Sequence, residues 1–332
     1  MIVRWGLDSL PDACAEAEVS SPLLVASARW ASLELPVEPA ARWSELELPV
    51  APSARWDEIP SARVEEAASL QADGVVAIGG GSAIDLGKAI SATAQVPLVS
   101  VPTTYAGAEW TSFFGVRDPQ RRMRGGGSGA LLGGIVYDVG LTVGLPREQT
   151  VGTSMNAIAH CAEALYAHGH NPETDAVALE GAQLISRYLP QVVESPLDRD
   201  LRTELLRGAC HGGEALAGSM LALAHAMAQA IGGKYGLPHG TLNGICLPPA
   251  LRYNARYAPA AVRAFGEAVG GDGAARVEEL TALGGITRLR ELGVPEQDIP
   301  ELAASTAQRG GNQANPHPAT PTEIEQLLRG VW

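Results

Sequence analysis

Cysteine is scarce in this sequence, with only 4 residues in a chain of 332, and no two of them form a C-x-x-C pair. Their wide spacing argues against a disulfide framework and against a thiolate zinc site. The chain also lacks a run of about 18 uncharged apolar residues, the length that a membrane-spanning helix needs. The first residues lack the apolar stretch and cleavage site of a secretion signal. We therefore expect a cytoplasmic protein that has no membrane partner.

Positive charge is the second shortage. The sequence has 24 Lys and Arg residues against 37 Asp and Glu residues, which gives a formal net charge of -13. Such a chain repels phosphate backbones, and no basic tract provides a local exception, so nucleic acid is not an expected partner. If the substrate is an anion, a few basic side chains must reverse the field locally at its site.

The first half of the sequence alternates between apolar runs and helical patterns. Short apolar runs typical of buried strands lie at residues 22–27, 74–78 and 97–102, and helical patterns cover 61–72 and 83–92. This alternation indicates a parallel α/β sheet. Amphipathic helical patterns dominate from about residue 150 onward. We predict an N-terminal, Rossmann-like α/β domain over residues 1–149 and an all-α domain over residues 150–332.

A short unit is nearly duplicated inside the first domain. The triplet Ala-Arg-Trp at residues 28–30 recurs at 41–43 and 54–56. Solenoid folds need longer and more numerous units, so we interpret this segment as a local insertion or duplication at the surface.

Glycines and hydroxyl side chains follow two of the predicted strands. Gly80, Gly81 and Ser82 lie between a strand and a helix, where glycine lets the backbone approach a ligand and helix N–H groups attract an anion. The spacing differs from G-x-G-x-x-G because Ile84 stands at the third glycine position, and a tight turn without a ligand would also select glycine. Thr103 and Thr104 follow the next strand, at the sheet edge where α/β proteins bind ligands.

Histidines form a second candidate site. Asn156 and His160 are four residues apart in a helical segment, so both side chains lie on one helix face. His225 lies on another helix, which we expect to stop at residues 232–233 before His239 begins a further element. Three imidazoles placed in this way can converge on one metal ion or one substrate. The alternative is that each histidine is satisfied separately within the fold.

These motifs together resemble the iron-containing alcohol dehydrogenase superfamily. The resemblance rests on four segments, namely Gly-Gly-Gly-Ser-x-x-Asp-x-x-Lys at 79–88, Pro-Thr-Thr-Tyr-Ala-Gly-x-Glu at 102–109, Met-Asn-Ala-x-Ala-His-Cys-x-Glu-Ala-Leu-Tyr at 155–166 and Gly-Gly-x-x-x-Leu-Pro-His at 232–239. The second and third segments are similar to those of maleylacetate reductases in particular. The resemblance implies the dehydroquinate synthase-like fold of that superfamily, with a dinucleotide-binding first domain and a second domain that holds the substrate or metal site.

The resemblance also assigns candidate roles to single residues. NADH or NADPH is the implied cofactor, and its implied binding residues are Gly80, Gly81, Ser82, Asp85, Thr103, Thr104 and Thr111. In metal-dependent relatives an Asp and three His bind a divalent ion such as Fe or Zn, and these positions correspond here to Asn156, His160, His225 and His239. Because Asn156 removes the only anionic ligand, we expect weak metal binding or none, and any ion would rest on the three histidines alone.

Three departures from the family pattern bear on the substrate. Gln229 and Ala224 stand where maleylacetate reductases usually carry histidine, and His317 replaces the Arg of an Asn-Pro-Arg-Pro segment. The residues that bind substrate carboxylates therefore differ from the usual set.

The implied reaction is the reduction of an unsaturated oxo acid, maleylacetate to 3-oxoadipate, by a homodimeric enzyme. The expected site lies between the two domains. There, His160, His225 and His239, with Asn156 beside them, bind an anionic small-molecule substrate and stabilise its enolate. One of the imidazoles or Tyr105 supplies a proton. The alternatives are a metal-dependent alcohol or aldehyde dehydrogenase, a lyase or cyclase on the same fold, and a non-catalytic protein that only binds the cofactor.

Overall fold

The computed structural model describes residues 1–39, 72–115 and 125–332, together with the backbone of residues 41, 42, 116, 117, 123 and 124. The predicted helix at 61–72 and the later copies of the Ala-Arg-Trp unit lie outside this part of the chain, except for residues 41, 42 and 72. Contacts between Cα atoms divide the chain into two compact units. One contains Met1–Thr104 and Ala108–Thr142, and the other contains Tyr105–Gly107 and Val143–Trp332.

The first unit is built on a parallel sheet, as the alternating sequence pattern predicts. Its strands are β1 (Ile2–Trp5), β2 (Pro22–Ala26), β3 (Ala41–Arg42), β4 (Gly74–Gly79), β5 (Pro97–Pro102) and β8 (Leu131–Tyr137). They lie in the order β1-β8-β5-β4-β2-β3, and every pair is parallel. The shorter strands β6 (Phe114–Arg117) and β7 (Met123–Gly127) form a separate antiparallel pair. The strands predicted at 22–27, 74–78 and 97–102 are confirmed as β2, β4 and β5.

Both faces of this sheet are buried, which explains why its central strands read as continuous apolar runs. Successive strand residues point to opposite faces. Val75 and Ala77 therefore belong to one core cluster, which includes Ile84 of helix α2 (Gly81–Ala94). Val76 and Ile78 belong to the cluster on the other face, which includes Leu10 of helix α1 (Leu10–Glu16).

The carboxyl ends of β4 and β5 lie side by side. Gly79 is the register partner of Pro102, and the N–H of Thr103 donates to the carbonyl of Gly79 over 3.0 Å. The loop that follows β4 therefore starts beside the loop that follows β5. This adjacency is the arrangement expected from the strand order of an open parallel sheet.

The second unit is helical. Its helices are α3 (Arg147–Ala164), α4 (Pro172–Glu194), α5 (Arg199–Ala217), α6 (Leu223–Tyr235), α7 (His239–Asn254), α8 (Pro259–Val269), α9 (Gly273–Ala282), α10 (Ile299–Ala307), α11 (Gly310–Gln313) and α12 (Pro321–Gly330). Helix α3 packs against α4, α5 and α7 and is buried from residue 154 to its end. Within the described residues, no helix has the length and apolar character needed to cross a membrane.

Helix α6 continues past the point where the sequence predicted its end. The expected stop at residues 232–233 is wrong, because α6 runs to Tyr235 and is followed by Gly236 in the left-handed conformation, with φ 72°. A glycine inside a helix costs only about 1 kcal/mol, whereas the residue after the helix needs a positive φ that glycine adopts freely. Gly232 also permits close packing, because a side chain there would begin 3.1 Å from Leu242 Cδ1.

The division of the chain differs in detail from the predicted boundary after residue 149. The second unit begins at Val143, and helix α3 has already begun at Arg147. The second unit also includes the three residues Tyr105–Gly107, which follow β5 in sequence.

Candidate active site

The loop after β4 consists of glycines and leads into a helix whose start has no side-chain cap. Gly79 has φ 150°, and a side chain there would begin 2.8 Å from Ala83 Cβ, so the position requires glycine. Gly80 precedes helix α2 and offers no side chain to cap its first N–H groups. These N–H groups attract an anion. A side chain on Gly80 would begin 3.1 Å from Thr104 Cγ2, so two of the predicted cofactor-binding residues lie against each other.

The other residues predicted to bind the cofactor occupy the same end of the sheet or lie near it in sequence. Gly81 and Ser82 form the first turn of α2. Thr103 is buried directly after β5, and Thr111 follows the short helical turn Ala108–Trp110.

Asp85 makes contacts within the protein. Its carboxylate accepts hydrogen bonds from the N–H of Gly115 at 3.1 Å and from Lys88 Nζ at 3.3 Å. Lys88 is almost fully buried and donates a further hydrogen bond to the carbonyl of Phe113 at 2.8 Å. Both side chains therefore hold the start of strand β6 against helix α2.

A buried carboxyl group supports the loop after β5. Glu109 accepts a hydrogen bond from the hydroxyl of Tyr137 at 2.7 Å, and that hydroxyl accepts one from Trp110 Nε1 at 2.8 Å. Burial raises the pKa of Glu109 above its ordinary value, although the Tyr137 hydrogen bond and the charge of Lys88 oppose the rise. The motif residue Glu109 is thus part of the internal support of this loop.

The helical unit brings together the three predicted imidazoles. The rings of His160 on α3 and His225 on α6 stack with centroids 4.8 Å apart and an interplanar angle of 11°. The ring of His239, the first residue of α7, lies 5.6 Å from that of His225. Because the three rings lie next to one another, the alternative in which each histidine is satisfied separately within the fold does not describe this arrangement. We call these three side chains the imidazole cluster.

Burial and mutual repulsion keep His160 neutral. The pKa of His160 is lowered well below its ordinary value, first because the ring is buried and then because His225 and His239 lie close to it. His160 Nδ1 and His225 Nε2 are buried and have no hydrogen-bond partner among the described residues. Buried ring nitrogens without partners are costly in a finished core, so they mark a place where a ligand is expected to bind.

Glu163, which the sequence analysis did not single out, orients His225. Its Oε2 lies 2.6 Å from His225 Nδ1, and both groups are fully buried. The carboxylate also accepts hydrogen bonds from the N–H groups of Ala222, Ala224 and His225. The available signal was its spacing, because a residue three positions after His160 lies on the same side of helix α3.

Asn156 is held by the protein on both sides of its amide. Its Nδ2 donates to the carbonyl of Ala106 at 2.6 Å, and its Oδ1 accepts from Asn243 Nδ2. A carboxylate at this position would face the Ala106 carbonyl without a hydrogen to donate.

The donor set at the imidazole cluster therefore does not fit a divalent ion. A neutral imidazole with a free nitrogen is a suitable ligand, but the fourth position of the family's metal site is here the amide of Asn156, which carries no charge and is held by Ala106 and Asn243. In the part of the chain that is described, no group of three or more His, Cys, Asp or Glu side chains is arranged to hold a metal ion.

Tyr105, predicted as a possible proton donor, is fully buried. Its hydroxyl accepts a hydrogen bond from Arg202 Nη1 at 3.0 Å, and its N–H donates to Thr153 Oγ1. Gly107 follows with φ 75°, and a side chain there would begin 3.4 Å from His160 Nδ1. The segment Tyr105–Gly107 thus lies against helix α3, beside both Asn156 and His160.

The residues that depart from the family pattern have separate surroundings. Ala224 uses its N–H to hold Glu163. The ring of His317 stacks on Tyr257 with centroids 4.3 Å apart.

Comparisons with known proteins agree with this geometry. Two family profiles match the chain, one described as iron-containing alcohol dehydrogenase over residues 4–129 and one as the C-terminal part of the Fe-containing alcohol dehydrogenase family over residues 150–332. A maleylacetate reductase of Burkholderia cepacia is 40% identical over 269 residues, which cover 80% of this chain and 76% of that protein. One from Sphingobium indicum is 37% identical over 276 residues, covering 81% and 78%. The crystal structure of maleylacetate reductase from Rhizobium sp. strain MTP-10005 superimposes with a TM-score of 0.88 at 28% identity, covering 100% of this chain and 95% of that one.

Proposed function

The chain belongs to the iron-containing alcohol dehydrogenase family, and we propose that it is an NAD(P)H-dependent reductase that converts maleylacetate to 3-oxoadipate. One observation carries the proposal. His160 and His225 are buried with one ring nitrogen each that has no partner among the described residues, His239 lies beside them, and the neighbouring residue at 156 is an amide that the protein itself holds. Such a site can bind and polarise an anionic oxo acid without a metal ion.

The reaction needs a hydride at the alkene carbon β to the ketone and a proton at the carbon next to that ketone. Between these steps the negative charge lies on the ketone oxygen as an enolate. The nicotinamide cofactor supplies the hydride when it is bound. The imidazoles of His160, His225 and His239 bind the carboxylate and ketone oxygens through ring nitrogens that carry a hydrogen, and in this way stabilise the enolate. One of them, or the hydroxyl of Tyr105, delivers the proton.

The loop after β4 is suited to the pyrophosphate of that cofactor. Gly80 and Gly81 leave the start of helix α2 without side chains, and Ser82 adds a hydroxyl. Thr104 lies against Gly80. We propose that Thr103, which directly follows β5, and Thr111, which follows the turn Ala108–Trp110, also line the cofactor site. Asp85 contributes indirectly, because it holds strand β6 against α2.

An absorbance assay at the NADH band tests the proposal. Maleylacetate should be reduced with either NADH or NADPH, and the ratio of the two kcat/KM values identifies the physiological cofactor. A panel of short aldehydes and alcohols should turn over at least a hundredfold more slowly, on the order of the discrimination that a site built for polar groups achieves. No oxidation of either cofactor by maleylacetate would contradict the proposal, and cofactor binding without turnover of any substrate would favour a non-catalytic protein.

Metal dependence separates the two enzymatic readings. We propose that the reaction proceeds without Fe or Zn, since residue 156, which corresponds to the anionic ligand of metal-dependent relatives, is an amide held by Ala106 and Asn243. Dialysis against a chelator should leave the rate with maleylacetate unchanged, and elemental analysis should find less than one metal ion per chain. A chelator-sensitive aldehyde reductase activity that returns with Fe or Zn would support the metal-dependent alternative.

We also propose a homodimer in the cytoplasm, as the family resemblance suggests. Gel filtration with light scattering tests the dimer directly.

A further inference from the structure

Helix α6 begins without a capping residue of its own. Its N-cap position is Ala222, whose side chain cannot accept a hydrogen bond from the first N–H groups of the helix. These N–H groups are usually satisfied by Ser, Thr, Asp or Asn at the N-cap. Because this end of α6 is buried, unsatisfied donors there would be costly.

Glu163 supplies the missing cap from another helix. Its Oε2 accepts from the N–H of Ala222 at 2.8 Å, and its Oε1 accepts from the N–H of Ala224 at 2.7 Å and of His225 at 3.3 Å. A negative charge at a helix N-terminus is also favoured by the helix dipole. The carboxylate therefore fixes where the first turn of α6 lies relative to α3.

The same carboxylate contacts the His225 ring at 2.6 Å through Nδ1. Both carboxylate oxygens already accept backbone N–H groups, so Glu163 acts only as an acceptor. Nδ1 must then carry the hydrogen of this contact. This leaves Nε2, which is buried and has no partner among the described residues, as the ring atom available to a ligand.

We propose that Glu163 is a positioning residue that fixes the His225 ring with its hydrogen on Nδ1 and its Nε2 directed toward the substrate. A proton taken up on Nε2 can then be donated to an anionic oxygen of the substrate, while the Glu163 carboxylate balances the charge. A single side chain thus sets both the position of the helix end that carries His225 and the tautomer of the ring. The consequence for activity depends on the proposed reductase function, whereas the tautomer itself does not.

The tautomer can be read directly by nitrogen NMR on protein labelled with 15N-histidine. His225 is assigned as the signal that disappears in His225→Gln. We expect a hydrogen-bonded, protonated Nδ1 in the unmodified protein, and loss of that hydrogen in Glu163→Gln. A spectrum of the unmodified protein in which Nε2 alone carries the hydrogen overturns the proposal, even if the variant fails to fold.

Kinetics provide the second measurement. Glu163→Gln should lower kcat about 10- to 100-fold, the usual effect of removing a residue that orients a functional histidine. KM should change far less. Asp272→Asn is the matched control, because Asp272 also caps a helix, accepting from the N–H groups of Ala274 and Ala275, and has no hydrogen bond to an imidazole among the described residues. It should leave kcat unchanged.

The possible outcomes are separable. If Glu163→Gln keeps full kcat and the protonated Nδ1, the positioning role is refuted. If the unmodified protein has the expected tautomer but does not reduce maleylacetate, the proposed substrate is wrong and the role of Glu163 is retained.

Discussion

Replacing Gly107 by alanine should both destabilise the protein and slow the reaction. Gly107 has φ 75°, a conformation that costs a residue with a side chain about 1–2 kcal/mol. The added carbon would begin 3.2 Å from Gly213 Cα and 3.4 Å from His160 Nδ1. Because Gly213 presents backbone, it cannot rotate away, and overpacking of this kind adds about 1 kcal/mol or more.

Gly293→Ala is a closely matched control. Gly293 has φ 76°, and nothing described lies within 4 Å of the carbon that the substitution adds. Both variants should therefore lose the same free energy from the backbone. Only Gly107→Ala should lose further unfolding free energy through overpacking against Gly213, and only this variant should displace the His160 ring.

Urea unfolding and the kinetics of maleylacetate reduction measure the two effects. We expect Gly107→Ala to lose about 2–3 kcal/mol of unfolding free energy against about 1–2 kcal/mol for Gly293→Ala. The kcat of Gly107→Ala should fall about tenfold, since small displacements of a functional group slow an oriented reaction. Equal destabilisation in the two variants, with unchanged kcat, would refute the reasoning.

Three further substitutions test the site and its support. His239→Ala should lower kcat roughly a hundredfold if this ring stabilises the enolate oxygen, and an unchanged rate of NADH oxidation would remove His239 from the mechanism. Tyr105→Phe removes the hydroxyl that accepts a hydrogen bond from the buried Arg202, and should lower the free energy of unfolding, measured by thermal denaturation, by about 1–3 kcal/mol. A large fall in kcat with little loss of stability would instead indicate that Tyr105 delivers the proton. Glu109→Gln should gain stability relative to the unmodified protein as pH rises above 4.5. Because the pKa of Glu109 is raised, the folded protein binds this proton more tightly than the unfolded chain does, and the unmodified protein loses that contribution to stability at higher pH. Parallel curves of unfolding free energy from pH 4 to 8 would contradict this.

The sheet could be predicted because its signals are local. Residues 74–78 form an apolar run that ends in glycines, and both faces of β4 are in fact buried. The spacing of Asn156 and His160 similarly predicted a shared helix face, and both belong to α3. Periodicity within one element is enough for statements of this kind.

Contacts between distant parts of the chain were not predictable in the same way. Glu163 and His225 are 62 residues apart, and nothing near either residue indicates their pairing. The end of helix α6 at Gly236 depends on which glycine takes a positive φ, and three glycines in that region were candidates. Asp85 belongs to a motif associated with the cofactor, yet its contact with Gly115 depends on where strand β6 lies.

The path of the chain has a practical consequence for dissecting the protein. Residues Tyr105–Gly107 belong to the helical unit although the residues on either side of them belong to the other one. A fragment ending at residue 149 would carry this tripeptide without Asn156 and Arg202. A fragment starting at residue 150 would leave Arg202 Nη1 without the Tyr105 hydroxyl and Asn156 Nδ2 without the Ala106 carbonyl. Neither half can be expected to fold faithfully in isolation, so expression trials should keep the polypeptide whole.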